Sequence, residues 1–162
     1  MRNLRQIVSF LFIVFLNGTA RAQPDETLEF SVKMSPLARS ASEKIVAIVS
    51  IKNVGRTGVY VYNDLHYLIS SFAATDTGED ISRNFIEEVM PPPPSRSSFL
   101  PLEPGDELTL KQTLSLPGLG IVHRGKYVIK FQYKSQFGQR FTFGLPAWKG
   151  TLNFSQPIEV AE

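Results

Sequence analysis

Apolar and polar residues alternate along several short segments of the 162-residue chain, over 28–34, 44–53, 108–116 and 126–134. An alternation of period two places successive side chains on opposite faces of a β-strand, so each segment has an apolar face to bury. Eleven prolines and eleven glycines separate these segments, and no run of ten or more residues in the mature chain has helical periodicity. The pattern predicts an all-β protein with about seven to nine short strands.

Shorter apolar runs predict further strands, over 59–62, 67–74 and 151–160. The last of these is expected to break at Pro157, because proline cannot donate a hydrogen bond to a β-ladder. Phe141 and Phe143 are two residues apart and are expected to extend a β-ribbon after a turn at Gly138. The segment 85–90 fits either one helical turn or a short edge strand.

Strands with one apolar face are stable when two sheets face each other and bury those faces together. Many short strands with turn residues between them therefore favour an antiparallel β-sandwich, and a closed β-barrel is the alternative.

The first 22 residues have the layout of a secretory signal peptide. Two arginines precede an apolar run over 7–16, and Ala20-Arg21-Ala22 fits a small-x-small cleavage site. A ten-residue helix spans only about 15 Å, half of the hydrocarbon core of a bilayer, which disfavours a membrane anchor. We predict cleavage after Ala22, a secreted or periplasmic location, and a single domain over 23–162 without an integral membrane segment.

Charge and composition exclude several classes of function. The chain has 17 basic and 15 acidic residues, and three of the arginines lie in the first 22 residues, so the mature chain has 14 basic residues against 15 acidic ones. This balance gives no electrostatic reason to expect a nucleic-acid partner. The absence of cysteine excludes disulfides, thiolate metal sites and a cysteine nucleophile. No cofactor is expected.

Four local patterns together resemble exported bacterial immunoglobulin-like β-sandwich modules: Leu-Glu-Pro-Gly-Asp before an alternating strand (102–116), Gly-Lys-Tyr-Val-Ile-Lys-Phe-Gln-Tyr (125–133), Trp-Lys-Gly (148–150) and Ser-Gln-Pro-Ile-Glu-Val (155–160). They are also weakly similar to the small proteinase-inhibitor sandwich family. The resemblance covers residues 27–160, except that 63–100 fit it poorly. It implies export and an immunoglobulin-like fold with Tyr127 in the position of a sandwich-corner tyrosine, and it implies no catalytic residue.

One tripeptide has the sequence of a catalytic motif. Asp76-Thr77-Gly78 matches the loop of retroviral-type aspartic proteases, in which two aspartates of a dimer share one proton. Glu79 would place another carboxylate beside that pair and disturb the shared proton. The alternative is a hairpin turn, where Asp and Gly are favoured by the backbone conformation. We favour the turn and keep a protease using Asp76 as the less favoured hypothesis.

Other candidate chemistry is sparse. Asp64 and His66 could present two metal ligands on one strand face, but the only other histidine is His123, and no metal site is predicted. Glu87 and Glu88 are adjacent and would point to opposite faces of a strand, which favours a solvated pair over paired catalytic acids.

The strongest binding candidate is a group of aromatic residues between the last two strands: Phe137, Phe141, Phe143 and Trp148. Aromatic side chains give large contact area at low entropic cost, so with Tyr133 they could form a recognition surface. The alternative is that they cap the open end of the core.

A second candidate contact is the proline run at 91–94, with Pro92 and Pro93 at its centre. Such a run forms a stiff, extended segment that serves either as a ligand or as a spacer. The leading hypothesis is a non-catalytic binding module whose partner is a protein or another envelope component. The alternative is a proteinase inhibitor that acts through an extended loop at 90–99.

Overall fold

Most of the alternating segments form β-strands in the computed structural model, which describes residues 27–82 and 93–161. The expectation of an all-β, mainly antiparallel protein is confirmed. The elements of the described residues are β1 (Leu28–Lys33), β2 (Leu37–Ala38), β3 (Lys44–Asn53), β4 (Val59–Tyr62), β5 (Ile69–Thr75), β6 (Phe99–Leu102), β7 (Glu107–Ser115), β8 (Gly125–Ser135), α1 (Gln139–Thr142) and β9 (Gly150–Val160).

The strands form two main sheets and a ribbon. Sheet A has the order β1-β3-β7 and is antiparallel throughout. Sheet B has the order β2-β9-β8-β5, in which only the two-residue β2 runs parallel to its neighbour. A separate antiparallel ribbon, ribbon C, consists of β4 and β6.

One hydrophobic core joins the two sheets. Val49 and Ile51 of β3 are fully buried in it together with Ile129 and Phe131 of β8. β3 buries every second residue from Ile45 to Val49, and β8 does so from Ile129 to Ser135, as a period of two requires.

The two sheets also meet through aromatic rings. The ring of Phe30 in β1 lies 6.3 Å from the ring of Tyr133 in β8, centroid to centroid. The inner faces of sheets A and B therefore pack against each other.

A buried asparagine joins sheet A to ribbon C. Asn53 at the end of β3 has no exposed surface. Its Nδ2 donates to the carbonyl oxygens of Leu102 and Thr57, at 2.7 and 2.9 Å, and its Oδ1 accepts from the Gly55 backbone N–H at 2.9 Å. All the hydrogen-bonding capacity of the amide except one lone pair is used, which is what a buried polar group requires.

The structure corrects three local predictions, each for a backbone reason. The segment 139–142 forms the short helix α1 instead of a ribbon. β9 does not break at Pro157, since the N–H of Glu159, on the same side of the strand, points towards Pro36 and away from β8. Proline therefore removes no hydrogen bond between β8 and β9 there.

The third correction concerns the start of one strand, and one further strand was not predicted at all. The strand expected from residue 67 starts at Ile69, after a 3₁₀ turn over Leu65–Tyr67 that Asp64 caps. β6 was not predicted, because Pro101 within it indicates a turn. The segment 85–90 lies outside the described residues.

Candidate functional site

The connection between β8 and β9, residues 136–149, contains the four aromatic residues singled out from the sequence. Its two ends are held together because Ser135 pairs with Gly150 in sheet B. Its second half is bound to ribbon C, where the Trp148 N–H donates to the Tyr60 carbonyl at 2.9 Å and the Tyr60 N–H donates to the Pro146 carbonyl at 3.2 Å. The loop is therefore attached at both ends.

Trp148 belongs to the packing of the core. Its indole stacks on Tyr133 at a centroid distance of 5.4 Å and an interplanar angle of 24°. The Ser135 hydroxyl donates to the Trp148 carbonyl at 3.1 Å. A Cβ on Gly150 would lie only 2.7 Å from the indole, so glycine is needed there for the ring to lie against the strand.

Phe137 also packs inside, as part of a ring cluster with Tyr62 and Phe99. Its centroid lies 4.9 Å from that of Tyr62 and 5.4 Å from that of Phe99. Burial raises the pKa of the Tyr62 hydroxyl, and the nearby Asp64 carboxylate and Tyr67 add to this rise. The cluster supports the first residues of the loop from the side of ribbon C.

Phe141 and Phe143 are the two exposed rings, at 39% and 45% of their full accessible surface. Phe141 lies in α1, and the Arg140 guanidinium carbon lies 4.5 Å from its ring centroid, in cation–π geometry. Phe143 follows α1 with a φ of +55°, in the left-handed region that glycine normally fills at the end of a helix. The four aromatic residues thus divide into two packed rings, Phe137 and Trp148, and two exposed ones.

A basic residue missed in the sequence completes this surface. Arg140 was not singled out, although 134–149 contains Lys134, Arg140 and Lys149 and no acidic residue. That local charge bias was the available signal. The exposed part of the loop combines two phenyl rings with positive charge.

The proline segment contributes less to a described site. Pro92 lies outside the described residues, and Pro93 is exposed with no regular structure. Further along, Arg96–Ser98 form a 3₁₀ turn, in which the Ser95 N–H donates to the Ser98 hydroxyl at 3.0 Å. The described part of the 90–99 loop is therefore not extended throughout, and its inhibitory role stays a prediction.

The candidate catalytic and metal-binding groups have structural roles. Asp76 is exposed in a tight turn after β5, where the Thr75 N–H donates to the Glu79 carbonyl at 2.8 Å, as expected of a hairpin turn. Asp64 Oδ1 accepts from the His66 backbone N–H at 3.2 Å. Within 27–82 and 93–161, no group of three His, Cys, Asp or Glu residues could hold a metal ion.

Two shallow clefts lie beside β7, one against residues 63–65 before β5 and the other against Ser71 of β5 and Ser82. One, of about 270 Å³, is lined by Asp64 and Leu108 among others; the second, of about 240 Å³, is lined by Gln112 and Ser82. Both are smaller than the roughly 300–1,000 Å³ of typical small-molecule pockets. The exposed aromatic loop is the stronger candidate site.

The phenol behind Trp148 has an expected pH effect. Burial raises the pKa of Tyr133 well above its ordinary value, and only the nearby Ser135 hydroxyl opposes this rise. Within 27–82 and 93–161, the Tyr133 hydroxyl has no hydrogen-bond partner, and the Ser135 hydroxyl donates to the Trp148 carbonyl. Burying a hydroxyl without a partner costs about 1–3 kcal/mol.

We therefore expect Tyr133→Phe to leave stability at neutral pH unchanged or higher. The folded state raises the phenol pKa, so the unfolded state loses the phenol proton first as pH rises. Tyr133 therefore lowers the free energy of unfolding only above its unfolded pKa of about 10. Urea unfolding between neutral and alkaline pH should show a smaller loss above about pH 10 in the variant than in the wild type. An equal alkaline loss in both would contradict this role of Tyr133.

Comparisons with known proteins give little beyond this geometry. No protein-family model and no curated protein matches the chain. Among solved structures, a β-glucosidase from Erythrobacter marinus matches with 13% identity and a TM-score of 0.39, over 81% of this chain and 15% of that chain. A likeness at this level carries no argument about fold or activity. Within the described residues no helix is long and apolar enough to cross a membrane.

Proposed function

We propose that the chain is a secreted or periplasmic, non-catalytic binding module with an immunoglobulin-like β-sandwich fold. In this proposal it contacts a protein partner of the cell envelope through the loop between β8 and β9. The observation that carries the proposal is the pair of exposed phenyl rings, Phe141 and Phe143, on a loop that is fixed at both ends.

The strand order supports the immunoglobulin-like part of the proposal. The order β1-β3-β7 in sheet A matches that of immunoglobulin strands A, B and E. The order β9-β8-β5 in sheet B matches that of immunoglobulin strands G, F and C. The Tyr127 hydroxyl donates to the His123 carbonyl, four residues upstream, at 3.1 Å. A tyrosine corner at the start of strand F of an immunoglobulin-like domain has a hydrogen bond of this kind.

The backbone at Phe143 supports a role in binding. A left-handed conformation costs a bulky L-residue about 1–2 kcal/mol, and glycine would avoid that cost. The chain places glycine at the next residue, Gly144 at φ +75°, and keeps phenylalanine at the strained one. Strain of this kind is typical of functional sites, where the side chain is needed in a particular direction.

The charge of the loop indicates the chemistry of the partner. Lys134, Arg140 and Lys149 are exposed, and no acidic residue lies between 134 and 149. Two phenyl rings with a basic rim fit a protein surface that has an apolar cleft and acidic residues around it. Fixed aromatic anchors such as these often dominate binding energy.

The non-catalytic part of the proposal rests on the positions of the groups that could have acted. Asp76 lies in an exposed turn, and the Asp64 carboxylate is engaged with the backbone of a 3₁₀ turn. Asp64 lines one of the clefts, but in the described part of the chain neither Asp64 nor Asp76 belongs to a group of three His, Cys, Asp or Glu residues that could hold a metal ion.

The test compares the wild type with Phe141→Ala/Phe143→Gly. The glycine removes the second ring and fits the left-handed backbone, so the fold should be kept. Proteins from an envelope extract are captured on immobilised wild-type protein, and the recovered partner is then purified and titrated by calorimetry. We expect the double variant to weaken that affinity by about 30-fold or more, the effect of losing an aromatic hot spot.

The matched control changes an aromatic residue that packs inside the loop. Phe137→Leu keeps an apolar side chain in the ring cluster and should leave the affinity within a few-fold of wild type. Equal affinity of the double variant and the wild type would contradict the proposal, as would turnover of a substrate by the purified protein.

A further inference from the structure

The outer face of sheet A carries charges in a pattern that is complementary to itself. The strand register places Glu29, Lys52 and Glu107 side by side across β1, β3 and β7. Two rows along the strands, it places Lys33, Ile48 and Lys111 side by side. All six side chains are exposed. One row thus has glutamates at its two flanks, and the other has lysines at the same two flanks.

The row between them is small and uncharged. It consists of Ser31, Ser50 and Thr109, and the hydroxyls of Ser50 and Thr109 lie 3.4 Å apart. Small side chains in the middle allow another surface to approach closely. The face therefore has a symmetric arrangement of charge about a row of small side chains, of which Ser50 is buried.

These charges have no ionic partners within the described part of the chain. The only ion pair there joins Lys130 and Asp80, on the other side of the molecule in sheet B. Ile48 and its neighbour Val46 on the same face are 42% and 43% exposed. The face thus combines unpaired charges of both signs with two exposed aliphatic side chains.

We infer that this face binds a second copy of the same chain through a two-fold axis that crosses the strands at the Ser50 row. Such an axis keeps each strand opposite its own copy and reverses its direction. Lys33 then lies opposite Glu29 of the second copy, and Lys111 lies opposite Glu107 of the second copy. Both contacts occur twice, giving four ion pairs.

The apolar residues fit the same arrangement. Ile48 lies opposite Lys52 of the second copy, whose methylene chain can cover an aliphatic side chain while its ammonium group stays in water. Aligned sheets pack about 10 Å apart, a distance that a lysine and a glutamate can span together. A translation or a parallel arrangement would instead place lysine on lysine, which selects this one symmetry.

The size of the face predicts a weak dimer. Three strands over the rows that face each other about the Ser50 axis, residues 47–53 of β3, cover on the order of 300 Å² per copy. Stable interfaces bury about 800 Å² per partner. The dimer should therefore form reversibly at high protein concentration, and it should dissociate as salt screens its exposed charges.

The experiment is sedimentation equilibrium of the purified protein with two charge-reversal variants. The acidic-face variant is Lys33→Glu/Lys111→Glu, and the basic-face variant is Glu29→Lys/Glu107→Lys. Each variant alone would place like charges opposite each other in the dimer, so its association should weaken by about tenfold or more. An equimolar mixture restores four opposite pairs and should dimerise at least as tightly as the wild type.

The matched control is Arg124→Glu/Lys126→Glu at the start of β8, where both basic side chains are exposed and neither belongs to sheet A or to the aromatic loop. It changes the net charge as the acidic-face variant does. On its own, the control should associate as the wild type does. Mixed with the basic-face variant, it should dimerise less tightly than the acidic-face variant does in the same mixture. Urea unfolding of all variants checks that these exposed changes leave the fold intact.

Three outcomes would overturn the inference. The first is a wild-type protein that stays monomeric at high concentration and low ionic strength. This result would overturn the inference even if the lysine row bound an unrelated acidic partner or an anionic vesicle. The second is a mixture of the two variants that stays monomeric. The third is an association that neither charge reversal changes.

Discussion

Replacing Trp148 with alanine is expected to lower the free energy of unfolding by about 3 kcal/mol, the usual cost of removing a packed aromatic side chain. The indole stacks on the fully buried Tyr133 and contacts the backbone at Gly150. Alanine would leave a cavity between them that the strand pairing around Ser135 prevents from closing. In a domain of this size, the loss corresponds to a fall in Tm of about 10 °C.

The measurement is urea unfolding followed by far-ultraviolet circular dichroism. Phe143→Ala is the control, because it makes the same kind of truncation in the same loop at an exposed ring. It should change the free energy of unfolding by no more than about 0.5 kcal/mol. Equal losses in the two variants, or a loss well under 1 kcal/mol for Trp148→Ala, would show that Trp148 is not part of the core.

The second large effect is expected at Asn53. In Asn53→Asp the carboxylate keeps the bond from the Gly55 N–H, but it faces the carbonyl oxygens of Leu102 and Thr57 without a proton to donate. Burying a charge against two acceptors should cost about 3–5 kcal/mol at neutral pH. The variant should therefore unfold at much lower urea concentration than the wild type.

The loss should depend on pH with a defined sign. The buried environment raises the folded-state pKa of this new carboxyl above its unfolded value of about 3.9. Its protonated form is the one that fits, so the penalty is full above the folded pKa and shrinks as pH falls towards about 4. Urea unfolding of the variant and the wild type at neutral and mildly acidic pH measures this difference.

Asn53→Ala separates the charge from the lost hydrogen bonds. It removes the amide without adding a titratable group, so its destabilisation relative to wild type should be the same at both pH values. If the aspartate and alanine variants lose equal stability at every pH, the two carbonyl contacts do not have the role assigned to them.

Most strands of the two main sheets were predictable because each has one solvent-exposed face and one buried face. The alternation over 44–53 defines β3 to the residue, and those over 108–116 and 126–134 give β7 and β8 to within one residue at each end. Such a pattern fixes the register of the strand, since a shift of one residue would expose every apolar side chain.

The predictions failed where a local backbone feature was stronger than the pattern. Phe141 and Phe143 have the spacing of a strand, yet they are set by the short helix α1 and the left-handed residue that follows it. Pro101 indicates a turn, but it lies in the two-stranded ribbon C. Both strands of such a ribbon are edge strands, and an edge strand tolerates the missing N–H of proline. Neither feature can be read from hydrophobicity.

The candidate site was predictable in position and not in detail. The aromatic content of 136–149 identified the loop, but a phenylalanine in the core and one on the surface look alike in the sequence. What separates Phe137 from Phe141 is contact with Tyr62 and Phe99, residues far away along the chain. The self-complementary charges of sheet A were hidden for the same reason, because they depend on the register of three strands.

Site-specific photo-crosslinking in the producing cells can identify what the loop between β8 and β9 contacts. A photoreactive phenylalanine analogue is placed at Phe141, at Phe143 and, as exposed controls away from the loop, at Leu37 and Val122. We expect a crosslinked product with one protein partner from the two loop positions and none of that product from the two controls. Equal yields of the same product from all four positions, or no product from either loop position, would contradict it.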